Sequence, residues 1–341
     1  PPSTFDLMTA IALMYFKEKK VDFAIIETGL GGRLDSTNVI KPVITAITSI
    51  SMDHMNFLGN SIEKITEEKG GIIMPGVPVV ADAGNPISMA ILKSIAEEKH
   101  AEWIDVESTY GCIPTADSDS GQQLMLWKRS EQEQLKSYLE GKQRSEWQPW
   151  SLSVPLAGHH QSRNAMTAFA VLMRLKPIAD KINSCCINEG IAKTFWPCRF
   201  EKISSEPLII LDGAHNADSM ENLVQTLNRY YGTDKTTCVL GCSEDKDIQH
   251  MVREIAPFVT DFIVTRSVHP RSMNPEKIYD AILCNGRSAV LSETLEDALS
   301  EMDKKGRAGR FIVTGSLFVT GGFRELLMAR DPEIKYFTID Q

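Results

Sequence analysis

The chain has 341 residues, of which 43% are hydrophobic and 24% are charged, and its formal net charge is −9. These values are typical of a globular protein with room for two domains, and the acidic balance argues against a surface for nucleic acids. No apolar run reaches the roughly 20 residues of a membrane span. The seven cysteines show neither zinc spacing nor a disulfide framework, which favours a cytoplasmic setting.

The predicted elements alternate between helices and strands in the first hundred residues, which indicates a parallel sheet. A helix over residues 4–19, which Thr4 can cap, precedes a strand over 23–26 whose apolar side chains we expect to be buried. The elements expected next are strands at 43–50, 77–80 and 102–106, a helix from the cap Asn60 to Lys69, and a helix over 87–99.

Residues 107–150 interrupt the alternation with a polar stretch, which we interpret as a small excursion from the sheet. A linker over 196–200 then precedes a second alternating region. The further predicted elements are helices at 161–175, 187–195 and 219–230 and strands at 208–211, 238–241, 262–265, 289–291 and 311–314. We therefore predict two domains, residues 1–200 and 201–341, of which the second is doubly wound and Rossmann-like.

A carboxylate and three glycines follow the first predicted strand, at the place where open α/β sheets bind ligands. Gly29 and Gly31 match the start of a dinucleotide fingerprint, but Leu34 stands where its third glycine belongs. Glu27 and His54, at two strand ends, are therefore candidate ligands of Mg²⁺ or Mn²⁺. The alternatives are a carboxylate that faces solvent and a histidine that caps a helix.

Other candidate residues stand at the ends of further elements. Lys69 ends a helix, where the macrodipole favours a lysine irrespective of function. Asp212 and His215 follow a strand, and the alternative there is a cap of the next helix. Arg199 can clamp a phosphate as a bidentate donor, and Asn164, one turn into a helix, can hydrogen-bond a ligand. The alternatives are a solvated surface arginine and a capped helix.

Taken together, seven motifs in this order resemble the folylpolyglutamate synthases and dihydrofolate synthases of the Mur ligase superfamily. The resemblance covers the chain from Phe5 to about Leu327, and GLGGRLDSTN and DGAHN are its specific parts. The motifs are ETGLGGRLDSTN, SMDHMNFLG, EEKGGI, GHHQSRNA, WPCRF, LDGAHNADS and TGSLF.

The resemblance implies an α/β fold in which a partial P-loop-type ATPase domain with a parallel sheet precedes a C-terminal Rossmann-like domain. It implies an ATP-dependent amide ligase, in which ATP phosphorylates a substrate carboxylate and the amino group of L-glutamate attacks the acyl phosphate. The carboxylate belongs to a folate or to dihydropteroate, and the sequence leaves this choice open. We expect a monomer with small-molecule substrates and neither nucleic-acid nor membrane partners.

By motif position, the resemblance also assigns roles to the candidate residues. Lys69 corresponds to a lysine that is carbamylated by CO₂, which turns a cation into an anionic oxygen donor and requires an amine of lowered pKa. The implied sets are Glu27, His54 and carbamylated Lys69 for Mg²⁺, Leu34, Asp35 and Ser36 for the pterin, Asn164, Arg199, Asp212 and His215 for ATP, and Lys69, His54, Asp212 and His215 for catalysis.

The sequence departs from the family pattern in several places. Cys198 stands where Gly is usual and Gly70 where Ala is usual, and the P-loop G-x-x-x-x-G-K-[ST] is absent. The chain also opens with PPSTFDL and enters a helix at once, so we expect a fragment, or a chain that begins after a missing segment, without ATP turnover of its own. Two alternatives stay open: a degenerate relative that binds folate without catalysis, and a nicotinamide-dependent oxidoreductase.

Overall fold

A computed structural model describes residues 2–53, 55–142, 146–179, 181–232 and 235–331. The chain divides into two compact units, and the predicted domain boundary at residue 200 stays a prediction. The first unit comprises Pro1–Ile113, Leu126–Trp150 and Arg163–Ile187, and the second comprises Pro114–Met125, Ser151–Ser162 and Asn188–Gln341. No helix within the described ranges is long and apolar enough to cross a membrane.

The first unit is built on three parallel strands, β1 (Thr45–Ile47), β2 (Val79–Ala81) and β3 (Trp103–Asp105), which pair in that order. The parallel sheet predicted for this part of the chain is thereby confirmed. The side chains of Ile65, Ile73 and Leu92 are completely buried in the core that packs against the sheet. The middle strand, β2, is buried along its whole length, as expected for a strand of a parallel sheet with neighbours on both sides, whereas β1 exposes Ala46 and β3 is half-buried.

Helices occupy much of the chain up to residue 192. They are α1 (Thr4–Lys19), α2 (Met55–Leu58), α3 (Ile62–Gly70), α4 (Pro86–Glu98), α5 (Val106–Thr109), α6 (Gln132–Leu139), α7 (His159–Leu175) and α8 (Ser184–Ala192). Two predicted caps are wrong by one residue, since Ser3 rather than Thr4 caps α1 and Ser61 rather than Asn60 caps α3. Each serine hydroxyl accepts a hydrogen bond from the backbone N–H three residues further on, as an N-cap does.

The predicted buried strand over 23–26 is wrong. The segment has no regular secondary structure, and Phe23 and Ile25 are 48% and 96% exposed. A strand forms only where a neighbour completes its ladder of hydrogen bonds, and among the described residues no strand pairs with this segment. The apolar stripe of α1 is exposed in the same way, for example at Ile11. Glu27 therefore does not stand at the end of a strand.

A small sheet corresponds to the excursion predicted for residues 107–150. Its strands are β4 (Tyr110–Ser118), β5 (Gly121–Lys128) and β6 (Trp150–Val154), which pair in that order, and the chain passes from one unit to the other within them. In the first unit, the ring centroid of Phe169 on α7 lies 5.5 Å from that of Tyr110 and 5.1 Å from that of Trp150. This aromatic cluster anchors the start of β4 and of β6 to α7.

The second unit contains a six-stranded sheet. Its strands are β7 (Glu201–Ser205), β8 (Leu208–Leu211), β9 (Thr237–Leu240), β10 (Asp261–Val264), β11 (Ser288–Leu291) and β12 (Arg310–Thr314), and its helices are α9 (Ala217–Tyr231), α10 (Ile248–Ile255), α11 (Pro275–Cys284), α12 (Leu295–Lys304) and α13 (Leu317–Arg330). The order across the sheet is β11-β10-β9-β12-β8-β7, and only β7 is antiparallel to its neighbour. Separate apolar clusters cover the two faces, so the predicted α/β, Rossmann-like architecture is confirmed.

A glycine-rich loop, residues 29–35, is docked on the C-terminal end of α3. The backbone N–H of Arg33 donates to the carbonyl oxygen of Glu68 (2.8 Å), and the Arg33 guanidinium pairs with the Glu68 carboxylate (2.8 Å). A Cβ at Gly32 would lie 2.8 Å from the carbonyl oxygens of Glu68 and Lys69. The loop can therefore approach this helix end only because glycine occupies position 32.

We expect Gly71→Ala to displace this loop from the helix. The added Cβ would lie 2.3 Å from Cβ and 2.4 Å from Cα of Arg33, atoms that cannot rotate away. We predict a loss of about 2–3 kcal/mol in the free energy of unfolding, measured by urea denaturation. The control is Gly70→Ala, whose Cβ would first meet the flexible Cδ1 of Ile95 at 2.6 Å. Equal stability of the two variants would contradict the docking of the loop.

A second prediction concerns His160, at the start of α7. Burial lowers the pKa of His160 to about 4, and the positive charges of Arg199 and His159 add to the effect. In the unfolded chain the imidazole of this residue is protonated near pH 6.5, whereas in the folded protein it stays neutral down to about pH 4. Protonation therefore leaves the free energy of unfolding unaffected above about pH 6.5. Between pH 6.5 and 4 only the unfolded chain binds the proton, so the free energy of unfolding falls by about 3 kcal/mol as the pH is lowered through this range. We expect His160→Gln to flatten this part of the pH profile of unfolding free energy. An unaltered profile in His160→Gln would refute the assignment.

Candidate functional site

The glycine-rich loop is shaped by Asp35, one of the residues assigned to the pterin. Its carboxylate accepts hydrogen bonds from the N–H groups of Gly29 (2.9 Å), Leu30 (2.8 Å) and Thr37 (2.9 Å) and from the Thr37 hydroxyl. Although burial opposes the shift, these donors hold the pKa of Asp35 below its usual range. Asp35 is therefore ionised at neutral pH and fixes the conformation of the loop.

The two neighbours of Asp35 have different surroundings. Leu34 is 79% exposed, so its side chain offers apolar surface to a ligand. Ser36 is half-buried, and its hydroxyl donates to the carboxylate of Asp6 at the start of α1. Of the segment 34–36, the leucine has the surroundings of a contact residue, while the serine links the loop to α1.

Lys69 lies next to this loop, in the last turn of α3. Burial lowers the pKa of its amine, an effect that the carboxylate of Asp53 opposes. This lowered pKa has the direction that a carbamylated lysine requires, and the carbamate itself stays a prediction. Glu27 is exposed and His54 lies outside the described residues, so the convergence of Glu27, His54 and Lys69 on a cation stays a prediction. Within the described ranges, no group of three His, Cys, Asp or Glu side chains is placed to hold a metal ion.

In the second unit, Asp212 follows β8 at the carboxyl edge of the sheet. Its buried carboxylate accepts hydrogen bonds from the N–H groups of Phe200 (2.8 Å) and Ala214 (2.9 Å). Burial raises the pKa of Asp212, while the two donors and the charges of Arg199 and His215 act in the opposite direction. Asp212 thus brings together the turn that carries Arg199 and the loop that carries His215.

His215 is oriented by its own loop. Its Nδ1 lies 2.9 Å from the carbonyl oxygen of Gly213, and because a carbonyl only accepts, Nδ1 carries the proton and Nε2 is the acceptor of the neutral ring. The next residue, Asn216, caps α9 by accepting a hydrogen bond from the N–H of Ser219 (2.8 Å). The helix cap that the sequence offered as an alternative is therefore present beside His215. The cap uses the side chain of Asn216, so it leaves a ligand contact by His215 possible.

Arg199 is exposed, and it lies between two residues with left-handed backbone. The φ angle is +58° at Cys198 and +45° at Phe200, a conformation that costs an L-residue roughly 1–2 kcal/mol. The carbonyl of Cys198 accepts a hydrogen bond from the N–H of Gly213 (2.8 Å), so the loop after β8 helps to hold the turn. The left-handed φ also explains why glycine suits position 198. A guanidinium on an anchored turn has the geometry to bind a phosphate with two parallel hydrogen bonds.

Two ion pairs beside these residues were not predicted. Asp82 directly follows β2 and pairs through both carboxylate oxygens with Arg163, which precedes the exposed Asn164 on α7. Its position after a buried strand is a signal that could have identified Asp82. The second pair joins Glu201 to Arg324, whose Nε lies 3.0 Å from both carboxylate oxygens. No local pattern connects two residues that are 123 positions apart.

Comparison with known proteins assigns both halves of the chain. Residues 3–172 match the family described as the Mur ligase middle domain, and residues 198–317 match the Mur ligase glutamate ligase domain. A relative from Bacillus subtilis, named dihydrofolate synthase/folylpolyglutamate synthase, is 32% identical over 329 residues, which cover 96% of this chain and 72% of the relative. The folylpolyglutamate synthase of Lacticaseibacillus casei is 32% identical over 326 residues, which cover 95% of this chain and 71% of the relative.

Solved structures share the architecture. FolC of Escherichia coli in complex with DHPP and ADP matches with a TM-score of 0.81 and 25% identity, over 96% of this chain and 72% of that chain. The folylpolyglutamate synthase of Mycobacterium tuberculosis complexed with ADP and AMPPCP matches with a TM-score of 0.79 and 28% identity, over 97% and 74%. Because the sequence matches extend over nearly the whole chain, the chain belongs to the folylpolyglutamate synthase/dihydrofolate synthase family of Mur ligases.

Proposed function

We propose that the protein carrying this chain joins L-glutamate to a folate or to dihydropteroate in an ATP-dependent ligation. The observation that carries the proposal is the 32% identity, over 96% of the chain, with a relative named for both activities. Two related proteins of known structure are complexed with ADP, which supports ATP as the phosphoryl donor.

The proposed reaction has two steps. A carboxylate oxygen of the folate or dihydropteroate attacks the γ-phosphorus of ATP, the bond from that phosphorus to the bridging oxygen breaks, and an acyl phosphate and ADP result. The amino nitrogen of glutamate then attacks the acyl carbon, and the amide forms as phosphate and a proton leave. Charge on the phosphoryl oxygens must be balanced in the first step, so cationic groups near them lower the barrier.

We assign the nucleotide to Asn164, Arg199, Asp212 and His215. The exposed guanidinium of Arg199, on a turn anchored to Asp212, supports a phosphate contact. In the tautomer with the proton on Nδ1, Nε2 of His215 can accept a hydrogen bond from a nucleotide hydroxyl or from the incoming amine. Asp212 itself acts through the backbone groups and charges that it holds together.

We assign a Mg²⁺ ion to Glu27, His54 and the carbamate of Lys69. Carboxylate and carbamate oxygens are hard donors that suit this ion, and the lowered pKa of Lys69 favours the neutral amine that reacts with CO₂. When bound, the ion supplies positive charge to the phosphates. We assign the segment 34–36 to the pterin, with the exposed leucine in contact and the aspartate as the residue that shapes the loop.

The division into a middle domain over residues 1–200 and a C-terminal domain over 201–341 belongs to the same proposal. It is supported by the two family matches, of which the first ends at residue 172 and the second begins at residue 198. A monomeric state and a cytoplasmic location are part of the proposal as well.

The function is tested by phosphate release from the complete protein. We expect release from ATP only when L-glutamate and a folate or dihydropteroate are both present, because the acyl phosphate needs the carboxylate to form and the amine to be consumed. A coupled phosphate assay measures the rate, and mass spectrometry detects a product heavier by one glutamyl residue. Folate binding without turnover would instead identify a degenerate relative, and hydride transfer from NADH would identify an oxidoreductase. Either result overturns the proposal.

The carbamate is tested by Lys69→Ala. We expect kcat to fall about 100-fold or more, because the variant would lose an anionic ligand of the Mg²⁺ ion that balances charge on the phosphates. Bicarbonate restores nothing, since alanine has no amine, whereas acetate restores part of the rate by placing a carboxylate in the vacated space. The matched control is Lys64→Ala, an exposed lysine on the same helix, which retains the activity of the parent. Unchanged activity in Lys69→Ala would count against the carbamate.

A further inference from the structure

The turn that carries Arg199 needs support from its surroundings. Cys198 and Phe200, on either side of Arg199, both have left-handed backbone, which is disfavoured for residues other than glycine. Such a conformation persists only where neighbouring groups over-determine it. The groups that bond to this turn therefore control the direction in which the Arg199 guanidinium projects.

Hydrogen bonds to the backbone hold the turn, and Glu201, a residue outside the assigned site, makes one of them. The carbonyl of Cys198 accepts from the N–H of Gly213 (2.8 Å), and the N–H of Phe200 donates to Asp212 (2.8 Å). A further bond runs from the N–H of Cys198 to Oε2 of Glu201 (2.9 Å). Glu201 thus acts on the first of the two strained residues.

Glu201 is held in its turn by Arg324, from the middle of α13. The Nε of Arg324 lies 3.0 Å from both carboxylate oxygens, and the two side chains are only 9% and 11% exposed, Arg324 being the more buried. The same guanidinium lies 5.7 Å from the ring centroid of Phe195 and 2.9 Å, through Nη1, from Sδ of Met328. A planar cation with contacts on several sides has little freedom, so it fixes the position of the Glu201 carboxylate.

We propose that Glu201 and Arg324 are positioning residues for Arg199, a role that rests on the proposed contact between Arg199 and the nucleotide. The pair supplies the acceptor that keeps Cys198 in the left-handed conformation. Arg199 then presents its guanidinium in one direction before the nucleotide arrives, so less order has to be imposed when it binds. A lysine at position 324 keeps the charge but loses the Nε bond, which makes the role testable.

The test measures the Kd of the complete protein for ADP. We expect Arg324→Lys to raise the Kd about tenfold while the circular dichroism spectrum is retained. Glu201→Gln keeps an acceptor for Cys198 but breaks the ion pair, and we expect a shift in the same direction. The matched control is Arg330→Lys, on the same helix, whose pair with Asp303 is exposed. This control leaves the Kd unchanged.

A double-mutant cycle with Cys198→Gly separates positioning from stability. Glycine adopts the left-handed backbone without strain, so the turn depends less on the ion pair in that background. We expect Arg324→Lys to raise the Kd less than about threefold when combined with Cys198→Gly. An equal increase in both backgrounds would show that the pair does not act through the backbone at position 198 and would overturn the proposal.

Arg199→Ala distinguishes failure of this proposal from failure of the proposed function. If Arg199→Ala weakens ADP binding while Arg324→Lys and Glu201→Gln do not, the positioning role is wrong and the nucleotide contact stands. If Arg199→Ala leaves the Kd unchanged, the nucleotide contact is wrong and the positioning role falls with it.

Discussion

The candidate site of the second unit depends on the buried carboxylate of Asp212. Burial of a charge is costly unless hydrogen bonds replace those to water, and the N–H groups of Phe200 and Ala214 supply two of them. The carbonyl of Ala214 in turn accepts a hydrogen bond from the N–H of Gly315 (2.9 Å), so a third segment is attached. These hydrogen bonds fix the backbone of the three segments, and the side chain of Arg199 projects from one of them.

The first unit uses an acid in the same way. Asp35 accepts hydrogen bonds from the backbone of the glycine-rich loop, and Gly32 lets that loop approach the carbonyl oxygens at the end of α3. Lys69 belongs to that helix end, so the end of α3 positions both the glycine-rich loop and the lysine amine. In both units an aspartate of a family motif organises backbone, which is a role that a motif alone does not distinguish from ligand contact.

The elements that were predicted well are those whose evidence is local. β8 has the predicted bounds, because an apolar run with polar residues at both ends allows one placement. The caps at Ser3 and Ser61 were missed by one residue, because Ser, Thr and Asn have similar preferences for that position. The strand predicted over 23–26 is absent because strand formation depends on a partner strand. No property of the segment itself shows whether a partner is present.

The same distinction applies to the site. Arg199, Asp212 and His215 could be selected from short motifs, and the structure brings them together in the second unit. Arg324, the partner of Glu201, could not be selected in this way, because the fold rather than any sequence spacing brings the two residues together. The cysteine at position 198, where the family has glycine, shows why such a long-range contact matters. A side chain in left-handed backbone is tolerable when a fixed acceptor holds its N–H, so the effect of exchanging glycine for cysteine depends on an ion pair that begins three residues away and ends on α13.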